Sequence, residues 1–356
     1  MLGACAKLFA VLAVVFGIIA GFYPTLFFKI PEVGFIPYAI SGGPVPPYFD
    51  YTMFEDDSWL QDGDIVVAVG AKCGTNWMMT MVHELRTWNQ PELKDFEDVL
   101  DIMPWAEFPQ HPGIIGNSKG RIELWNKRGK WNRKEYPFRV FKSHMTPKPI
   151  DGKATSPFQC LDVAGRSKVK YIAMTRDGRD VIKSLEKFLN VHSKEFRNMW
   201  GGFPPPLESM EAAFDFSMPT ENVPVLDYIK EWWPYRNHPN VLLLHYGEVY
   251  KDVPGTLRKL AEFLGLNDIS EEDFTEIEKR VSIDFMKSRQ DRYLCRFGHD
   301  NDKTVFSAKA GIIRKGGVGT SKKHLNEELN QRFEKHLKEK LGDDPELMKW
   351  YKERMH

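Results

Sequence analysis

The sequence predicts an α/β fold: a single domain with a central, mostly parallel sheet flanked by helices, of the P-loop-like kind. Short apolar runs rich in β-branched residues recur along the chain, as in the buried strands of parallel sheets. Stretches with apolar residues at helical spacing follow several of these runs, and glycines and cationic residues stand in the turns between them. Strands that alternate with helices in this way form a doubly wound sheet.

The first strand–turn–helix unit, residues 64–86, has the sequence DIVVAVGAKCGTNWMMTMVHELR. Residues 65–69 are a continuous apolar run that predicts a buried strand, and the second half of the unit has helical spacing. Gly70 and Gly74 let the turn approach a ligand closely, and Lys72 adds a positive charge. Loop amides and a helix N-terminus attract an anion. The unit therefore predicts a cradle for a phosphate or sulfate ester.

Other kinds of loop share some of these residues. A Walker A loop ends in Gly-Lys-Ser/Thr, and this loop does not. A cysteine phosphatase would use Cys73 together with an arginine six positions later, but Met79 occupies that position. An ordinary turn between strand and helix, with Lys72 in solvent, stays open as the alternative.

Two further strands end beside residues that suit an anionic ligand. A strand predicted over 138–141 leads to Lys142 and His144, and one predicted over 169–174 leads to Arg176. Ligands of open α/β sheets bind beyond the carboxyl ends of the strands, and arginine forms paired hydrogen bonds to phosphate. The alternatives are a solvated or structural histidine, and a charged helix cap in which Asp177 and Arg179 pair at the surface.

Three later features extend the same pattern. Ser184 falls on the first turns of the helix predicted over 181–189, and a strand predicted over 241–244 precedes Tyr246. The loop at 314–319, RKGGVG, combines two cations with three glycines, and a surface hinge is its alternative interpretation. Cationic loops at separate places fit a ligand with two anionic groups better than a single phosphate.

Composition excludes some classes of protein. The 356 residues contain 49 basic and 49 acidic side chains, and zero net charge argues against a general nucleic-acid binder. The four cysteines form no CxxC pair and no zinc-ligand spacing, so no metal site is expected. Irregular stretches at 91–137 and 198–217, rich in Pro, Gly and aromatic residues, predict loops that cover a substrate. For 91–137, a structural insertion that packs its own tryptophans stays open as the alternative.

The N-terminal residues 8–28 contain no charged side chain and are long enough to span a membrane. We expect an N-terminal hydrophobic helix and a membrane-associated protein with a single-pass anchor; a cleaved signal peptide and a buried helix are the alternatives. The absence of Asn-x-Ser/Thr slightly favours the cytoplasmic face. The expected divisions are a hydrophobic segment at 1–30, a linker at 31–50, the main domain at 51–342 and a helical tail at 343–356.

Five of these stretches together resemble motifs of the cytosolic-type sulfotransferase family, and the resemblance covers most of residues 50–341. Any one match is weak, but five in the right order, at strand ends or loops, form a specific signal. The matching segments are AKCGTNW at 71–77 for Pro-Lys-Ser-Gly-Thr-Thr-Trp, KSHMT at 142–146 for Lys-Thr-His-Leu-Pro, RDGRDV at 176–181 with Ser184 for Arg-Asn-x-Lys-Asp-Val and its serine, YGE at 246–248 for Tyr-Glu-Asp, and RKGGVG at 314–319 for Arg-Lys-Gly-x-x-Gly.

The resemblance implies an enzyme that moves the sulfuryl group of 3′-phosphoadenosine 5′-phosphosulfate (PAPS) in line to a hydroxyl or amine of a small acceptor, without a metal. It implies His144 as general base, and Lys72 and Lys142 as catalytic residues that stabilise charge at the sulfate and the leaving phosphate. The residues implied to bind PAPS are Lys72, Cys73, Gly74, Thr75, Asn76, Trp77, Arg176, Ser184, Tyr246, Ser282, Arg314, Lys315 and Gly316.

Several positions depart from the family pattern. Cys73 replaces a serine and Asn76 a threonine in the first loop, and Ile283 after Ser282 replaces a phenylalanine near the adenine. The dimer motif of the family is not kept, so we expect a monomer or a different dimer. A nucleotide or small-molecule kinase and an inactive membrane-tethered nucleotide-binding protein are the alternative functions.

Overall fold

The computed structural model describes residues 48–218, 223–298, 300, 302–308, 311–314, 316–319 and 325–355, together with Val11, Val14, Val15 and Gly17. Within residues 48–355 the strands are β1 (Ile65–Val69), β2 (Val140–Ser143), β3 (Thr146–Pro147), β4 (Gln159–Leu161), β5 (Lys170–Thr175), β6 (Val241–His245), β7 (Arg296–Phe297) and β8 (Lys303–Thr304). The α-helices there are α1 (Thr52–Glu55), α2 (Thr75–Arg86), α3 (Val99–Ile102), α4 (Ser118–Arg128), α5 (Gly178–Asn190), α6 (Lys194–Met199), α7 (Met210–Ser217), α8 (Val225–Trp232), α9 (Tyr246–Lys251), α10 (Val253–Leu264), α11 (Glu271–Arg280), α12 (Ile283–Ser288), α13 (Glu327–Leu341) and α14 (Pro345–Glu353).

Strand β1 lies inside a four-stranded parallel sheet in the order β2–β1–β5–β6. Both of its faces are covered: Ile65, Val67 and Val69 pack into one apolar cluster, while Val66 and Ala68 pack into another. A strand buried on both faces needs a continuous apolar run rather than an alternating one. The predicted α/β fold with a central parallel sheet is confirmed.

The parallel direction of the four strands decides where the functional loops meet. Their carboxyl ends lie at one edge of the sheet, where open α/β folds bind ligands. Lys72 follows β1, His144 follows β2, Arg176 follows β5 and Tyr246 follows β6. These four residues are therefore neighbours in space, although the chain separates the first from the last by a large part of its length.

The C-terminal helix α14 is fastened to this edge by Tyr351. The Tyr351 hydroxyl accepts a hydrogen bond from the Gly178 N–H at 2.9 Å and donates one to the Arg176 carbonyl at 2.8 Å. Gly247 permits the close approach of the chain end, because a Cβ there would lie 2.3 Å from the carbonyl oxygen of Arg354. The last helix thus holds the turn from which the Arg176 side chain extends.

Two segments predicted to be irregular contain helices. Helices α3 and α4 lie within 91–137, and α7 lies within 198–217. Asn117 caps α4 by accepting a hydrogen bond from the Gly120 N–H at 2.9 Å, and Trp125 of that helix is fully buried. Burial of aromatic side chains stabilises such short helices, and a weak apolar pattern in the sequence does not reveal it.

The predicted N-terminal hydrophobic helix and the anchor at 8–28 fall outside the described residues, apart from Val11, Val14, Val15 and Gly17. A membrane span needs about 20 apolar residues in one helix. Among the residues that the structure describes, no helix has both the length and the apolar character to cross a membrane. The prediction of a membrane-associated protein with a single-pass anchor is wrong on this finding.

Replacing Tyr351 by Phe tests the attachment of α14. The change removes both hydrogen bonds and leaves the buried Gly178 N–H without its partner. We expect the free energy of unfolding, measured by urea denaturation, to fall by about 1–3 kcal/mol, the cost of an unsatisfied buried donor. Tyr250→Phe is the matched control because its ring is half-exposed. Equal stability of the two variants would contradict the role given to Tyr351.

Candidate active site

The loop between β1 and α2 has the shape of a cradle. Gly70 N–H donates to the Met174 carbonyl at 3.1 Å, and Cys73 N–H donates to the Gly70 carbonyl at 3.0 Å. Lys72 and Gly74 both have positive φ, 62° and 98°. No side chain among the described residues caps the N-terminus of α2, so the first N–H groups of that helix are open to an anion.

Seven cationic side chains of the described residues line one cavity of about 1310 Å³, and four of them are predicted site residues: Lys72, Lys142, Arg176 and Arg314. Loss of water holds the pKa of Lys72 well below its usual value, and the charges of the other three cations lower it further. Lys142 is buried, and its ammonium lies 3.3 Å from the centre of the Trp105 ring. A ligand with several negative charges relieves the repulsion within such a group.

The guanidinium of Arg176 is held in place but keeps one donor unused. Nη1 donates to the Lys72 carbonyl at 3.4 Å, and Nη2 donates to the Gly317 carbonyl at 2.9 Å and to Asp180 at 3.4 Å. Nε is buried and has no hydrogen-bond partner among the described residues. A buried donor of this kind is suited to an oxygen of a bound phosphate.

The charged helix cap named as an alternative, between Asp177 and Arg179, also forms, but it is buried and not at the surface. Arg179 Nη2 lies 3.0 Å from Asp177 Oδ2, and Asp177 accepts a hydrogen bond from the Arg179 N–H at 3.0 Å. Both side chains are buried, and neither is among the residues that line the cavity. Arg179 therefore belongs to the start of α5, while Arg176 stays at the cavity.

The His144 ring carries a proton on Nδ1, because Nδ1 lies 2.7 Å from the Val69 carbonyl, which can only accept. In the neutral ring Nε2 is therefore without hydrogen, and the side chain lines the same cavity as Lys72. Burial lowers the pKa of His144 to about 3, and the charges of Lys142 and Lys72 act in the same direction. The ring is thus a neutral base at physiological pH.

Three aromatic side chains stand next to one another on the cavity wall. The ring centres of Trp77 and Tyr246 are 5.4 Å apart, and Tyr250 stacks on Tyr246 at 6.3 Å. Trp77 Nε1 donates to the Val281 carbonyl at 2.9 Å, which fixes the indole plane. A Cβ at Gly74 would lie 2.9 Å from the Tyr246 ring, so the loop needs glycine here. A nucleobase can stack on rings arranged in this way.

The structure brings most of the predicted site residues to this cavity. Lys315 lies outside the described residues. Cys73 is present, but burial raises the pKa of its thiol to about 12, so the side chain is uncharged. The predicted residues that line the cavity are Lys72, Cys73, Gly74, Thr75, Asn76, Trp77, Lys142, His144, Arg176, Ser184, Tyr246, Ser282, Arg314 and Gly316.

Several residues of the cavity were missed from the sequence. Tyr48 and Phe49, placed in the predicted linker, line it, and an ion pair between Asp50 and Arg121 anchors the segment that carries them. The aromatic pair Tyr48 and Phe49, directly before Asp50, was the available signal. It could not be read from the sequence because Arg121, the buried partner of Asp50, lies 71 positions away in the chain. Trp105, Phe203, Met210 and Phe216 line the cavity from the two stretches predicted to cover a substrate, whereas Phe158 and Val223 were not predicted.

Comparison with known proteins assigns the chain. A family model described as the sulfotransferase domain matches residues 62–345. The chain belongs to the sulfotransferase family. Curated relatives include Sulfotransferase 2A1 of Macaca fascicularis, 26% identical over 298 residues, or 83% of this chain and 90% of the relative. Another is the 3-alpha-hydroxysteroid sulfotransferase of Cavia porcellus, 25% identical over 301 residues, or 83% of this chain and 90% of the relative.

Solved structures show the same fold. A mouse sulfotransferase complexed with PAP superimposes with a TM-score of 0.57 at 19% identity, covering 83% of this chain and 88% of that chain. Retinol dehydratase in a complex with retinol and PAP gives a TM-score of 0.55 at 19% identity, covering 80% of this chain and 83% of that chain. The sheet and its surrounding helices are therefore those of a sulfotransferase fold.

The family assignment confirms the predicted enzyme class, a sulfotransferase that uses PAPS. It decides against the kinase alternative. Among the described residues, no group of three or more His, Cys, Asp or Glu side chains could hold a metal ion. The roles of the individual site residues of this sulfotransferase stay predictions.

The protonation of His144 can be measured directly. We expect the ring to be neutral at pH 6, with hydrogen on Nδ1, because its pKa is about 3. NMR of the sulfotransferase labelled with ¹⁵N-histidine shows this, and His144→Ala identifies the signal. The pKa of His144 is lower in the folded than in the unfolded protein, so its neutral ring favours the folded state. This contribution to the free energy of unfolding is complete above about pH 6.5 and is lost as the pH falls toward the folded pKa. A titration midpoint near pH 6.5 would contradict the Nδ1 geometry.

Proposed function

We propose that this sulfotransferase transfers the sulfuryl group of PAPS to the hydroxyl of a small lipophilic acceptor, with His144 as general base. The proposal depends above all on one observation: four cations and a neutral imidazole line the same cavity. A nucleotide with two anionic groups needs cations at two places, and an alcohol needs a base with an unprotonated nitrogen.

The two anionic groups of PAPS bind at separate parts of the cavity. The loop amides before α2 and the ammonium of Lys72 hold the 5′-phosphosulfate, while Arg176, Ser184 and Arg314 hold the 3′-phosphate. The unpartnered Nε of Arg176 supports this placement. Burial lowers the pKa of Arg314, the charge of Glu186 opposes this effect, and the charge of Arg176 adds to it. A phosphate between the two arginines would therefore be attracted to both. Trp77 offers its ring to the adenine.

The reaction is an in-line transfer in which positioning and charge stabilisation dominate. PAPS supplies the sulfuryl group when it is bound. His144 accepts the proton of the acceptor hydroxyl at Nε2 while the hydroxyl oxygen forms its bond to sulfur. Lys72 and Lys142 stabilise the negative charge that grows on the leaving phosphate and on the sulfuryl oxygens.

The lining of the cavity favours an alcohol over an amine as acceptor. An aliphatic and aromatic wall fits a flat, lipophilic molecule; it consists of Tyr48, Phe49, Trp105, Phe158, Phe203, Met210, Phe216 and Val223. Three carboxylates of the described residues line the cavity, Asp180, Glu186 and Glu278. Asp180 pairs with Arg176 and Glu186 acts on Arg314. A charged ammonium would face the four cations without a carboxylate on that wall. The relative named for a hydroxysteroid supports this acceptor class.

Ligand-induced stabilisation tests the co-substrate. We expect 3′,5′-diphosphoadenosine (PAP) to raise the melting temperature, because a ligand at 100 times its dissociation constant adds about 2.7 kcal/mol to the folded state. ATP with magnesium is the control and changes it little. The acceptor is tested by transfer of labelled sulfate from PAPS to matched lipophilic alcohols and amines. Stabilisation by ATP alone, or transfer to neither acceptor, would overturn the proposal.

Two substitutions separate chemistry from binding. His144→Ala removes the base, so we expect kcat to fall by about 10²–10⁴-fold while the dissociation constant of PAP stays nearly unchanged. Arg314→Ala removes a charged hydrogen bond, so we expect PAP binding to weaken by about 1.5–3 kcal/mol. Calorimetry and initial rates measure both, with Lys349→Ala on the exposed surface as control. If both variants lost PAP binding to the same extent, the role of His144 as general base would be contradicted.

A further inference from the structure

Glu107 stands beside two residues of the proposed reaction. The segment that carries it runs along β2: Ala106 N–H donates to the Lys142 carbonyl at 3.0 Å, and Trp105 pairs with Lys142 in parallel register. Two residues further along both segments, Glu107 meets His144, and Glu107 Oε1 accepts a hydrogen bond from the His144 N–H at 2.5 Å. The carboxylate therefore contacts the backbone at the proposed base.

The surroundings of this carboxylate are unusual for a purely structural group. Glu107 is 0% exposed, and Oε2 has no hydrogen-bond partner of good geometry among the described residues. Burial raises the pKa of the carboxyl, while the indole N–H of Trp105, the His144 N–H and the charge of Lys142 lower it. A buried carboxylate costs free energy, and such groups cluster at functional sites.

We propose that Glu107 is a positioning residue for sulfuryl transfer: it fixes the backbone at His144 and keeps Lys142 in its charged form. The inference rests on the proposed function, which places both of those residues in the reaction. An ammonium buried as deeply as that of Lys142 keeps its proton only beside negative charge.

Two buried carboxylates raise the pKa of Lys142, and Glu107 acts on it more strongly than Asp98 does. Loss of water lowers the pKa of Lys142, and Cys295, Glu107 and Asp98 raise it, in that order. Burial raises the pKa of the Cys295 thiol to about 12, so that group is uncharged. Burial also raises the pKa of Asp98, to about 6. The titratable groups that interact with Lys142 are Lys72, Asp98, Glu107, His144 and Cys295.

The substitution Glu107→Gln tests this role, because the amide oxygen still accepts the His144 N–H while the charge is removed. We expect kcat to fall by about tenfold or more, and the alkaline limb of kcat against pH to move down by about one pH unit or more, as Lys142 loses its proton earlier. The dissociation constant of PAP, measured by calorimetry, stays within about threefold. An unchanged pH profile with unchanged kcat would overturn the proposal.

The matched control is Glu84→Gln on α2. Glu84 is also a buried carboxylate, but it pairs with Arg280 at 2.6 Å and is not among the groups that shift the pKa of Lys142. This variant keeps the alkaline limb in place. A shift of that limb equal to the one in Glu107→Gln would make the effect a general response to lost buried charge and would overturn the proposal.

A second variant keeps the inference testable if Glu107→Gln does not fold. If loss of the Lys142 proton causes the alkaline limb, the Lys142→Arg variant should show no such limb in its residual activity. The reason is that arginine does not lose its proton in proteins. A limb at the wild-type pH in this variant would overturn the proposal. The proposed function fails separately, when the wild-type protein itself transfers no sulfuryl group from PAPS to any alcohol tested.

Discussion

Lys72, Lys142, Arg176 and Arg314 share one cavity, and the Lys72 ammonium among them is largely shielded from water. Holding like charges together in such a place costs free energy, which the packing of the rest of the domain must offset. The arrangement is stable because Lys72, Lys142 and Arg176 lie on or directly after strands of the buried sheet. It also explains affinity for a doubly anionic nucleotide, since binding replaces repulsion between the cations with attraction to the ligand.

The sheet and the chain end supply that fixation. Strand β1 is buried on both faces, so the loop that carries Lys72 starts from an immobile point. The Arg176 turn is held from behind by Tyr351, and the Arg176 guanidinium closes the arrangement by donating to the Lys72 carbonyl. The last helix, far along the chain from the anion cradle, is therefore part of what shapes it. Only a glycine at 247 allows the chain end to come so close.

The cavity holds a proton acceptor and a proton-bearing cation side by side, and their different partners explain how. His144 gives its Nδ1 hydrogen to a carbonyl and stays neutral. Lys142, although it loses almost as much water, lies over the face of an aromatic ring and near a buried carboxylate. A carbonyl stabilises a neutral imidazole, while a ring face and an anion stabilise an ammonium. The acceptor hydroxyl can therefore donate its proton to His144, because the imidazole is neutral.

Local pattern determined the strands that precede Lys72, His144, Arg176 and Tyr246. Parallel strands leave such residues at one edge of the sheet, so the cradle and the residues that carry its charge were predicted from the sequence. The tertiary structure alone showed that Phe49 lines the cavity and that Glu107 binds the backbone of His144, and it placed helices within 91–137. It also corrected the expectation of a membrane anchor. The hydrophobic pattern of a sequence relates only residues that are a few positions apart. Burial and ion pairing bring together residues that are far apart in the chain, and the sequence pattern does not indicate which ones.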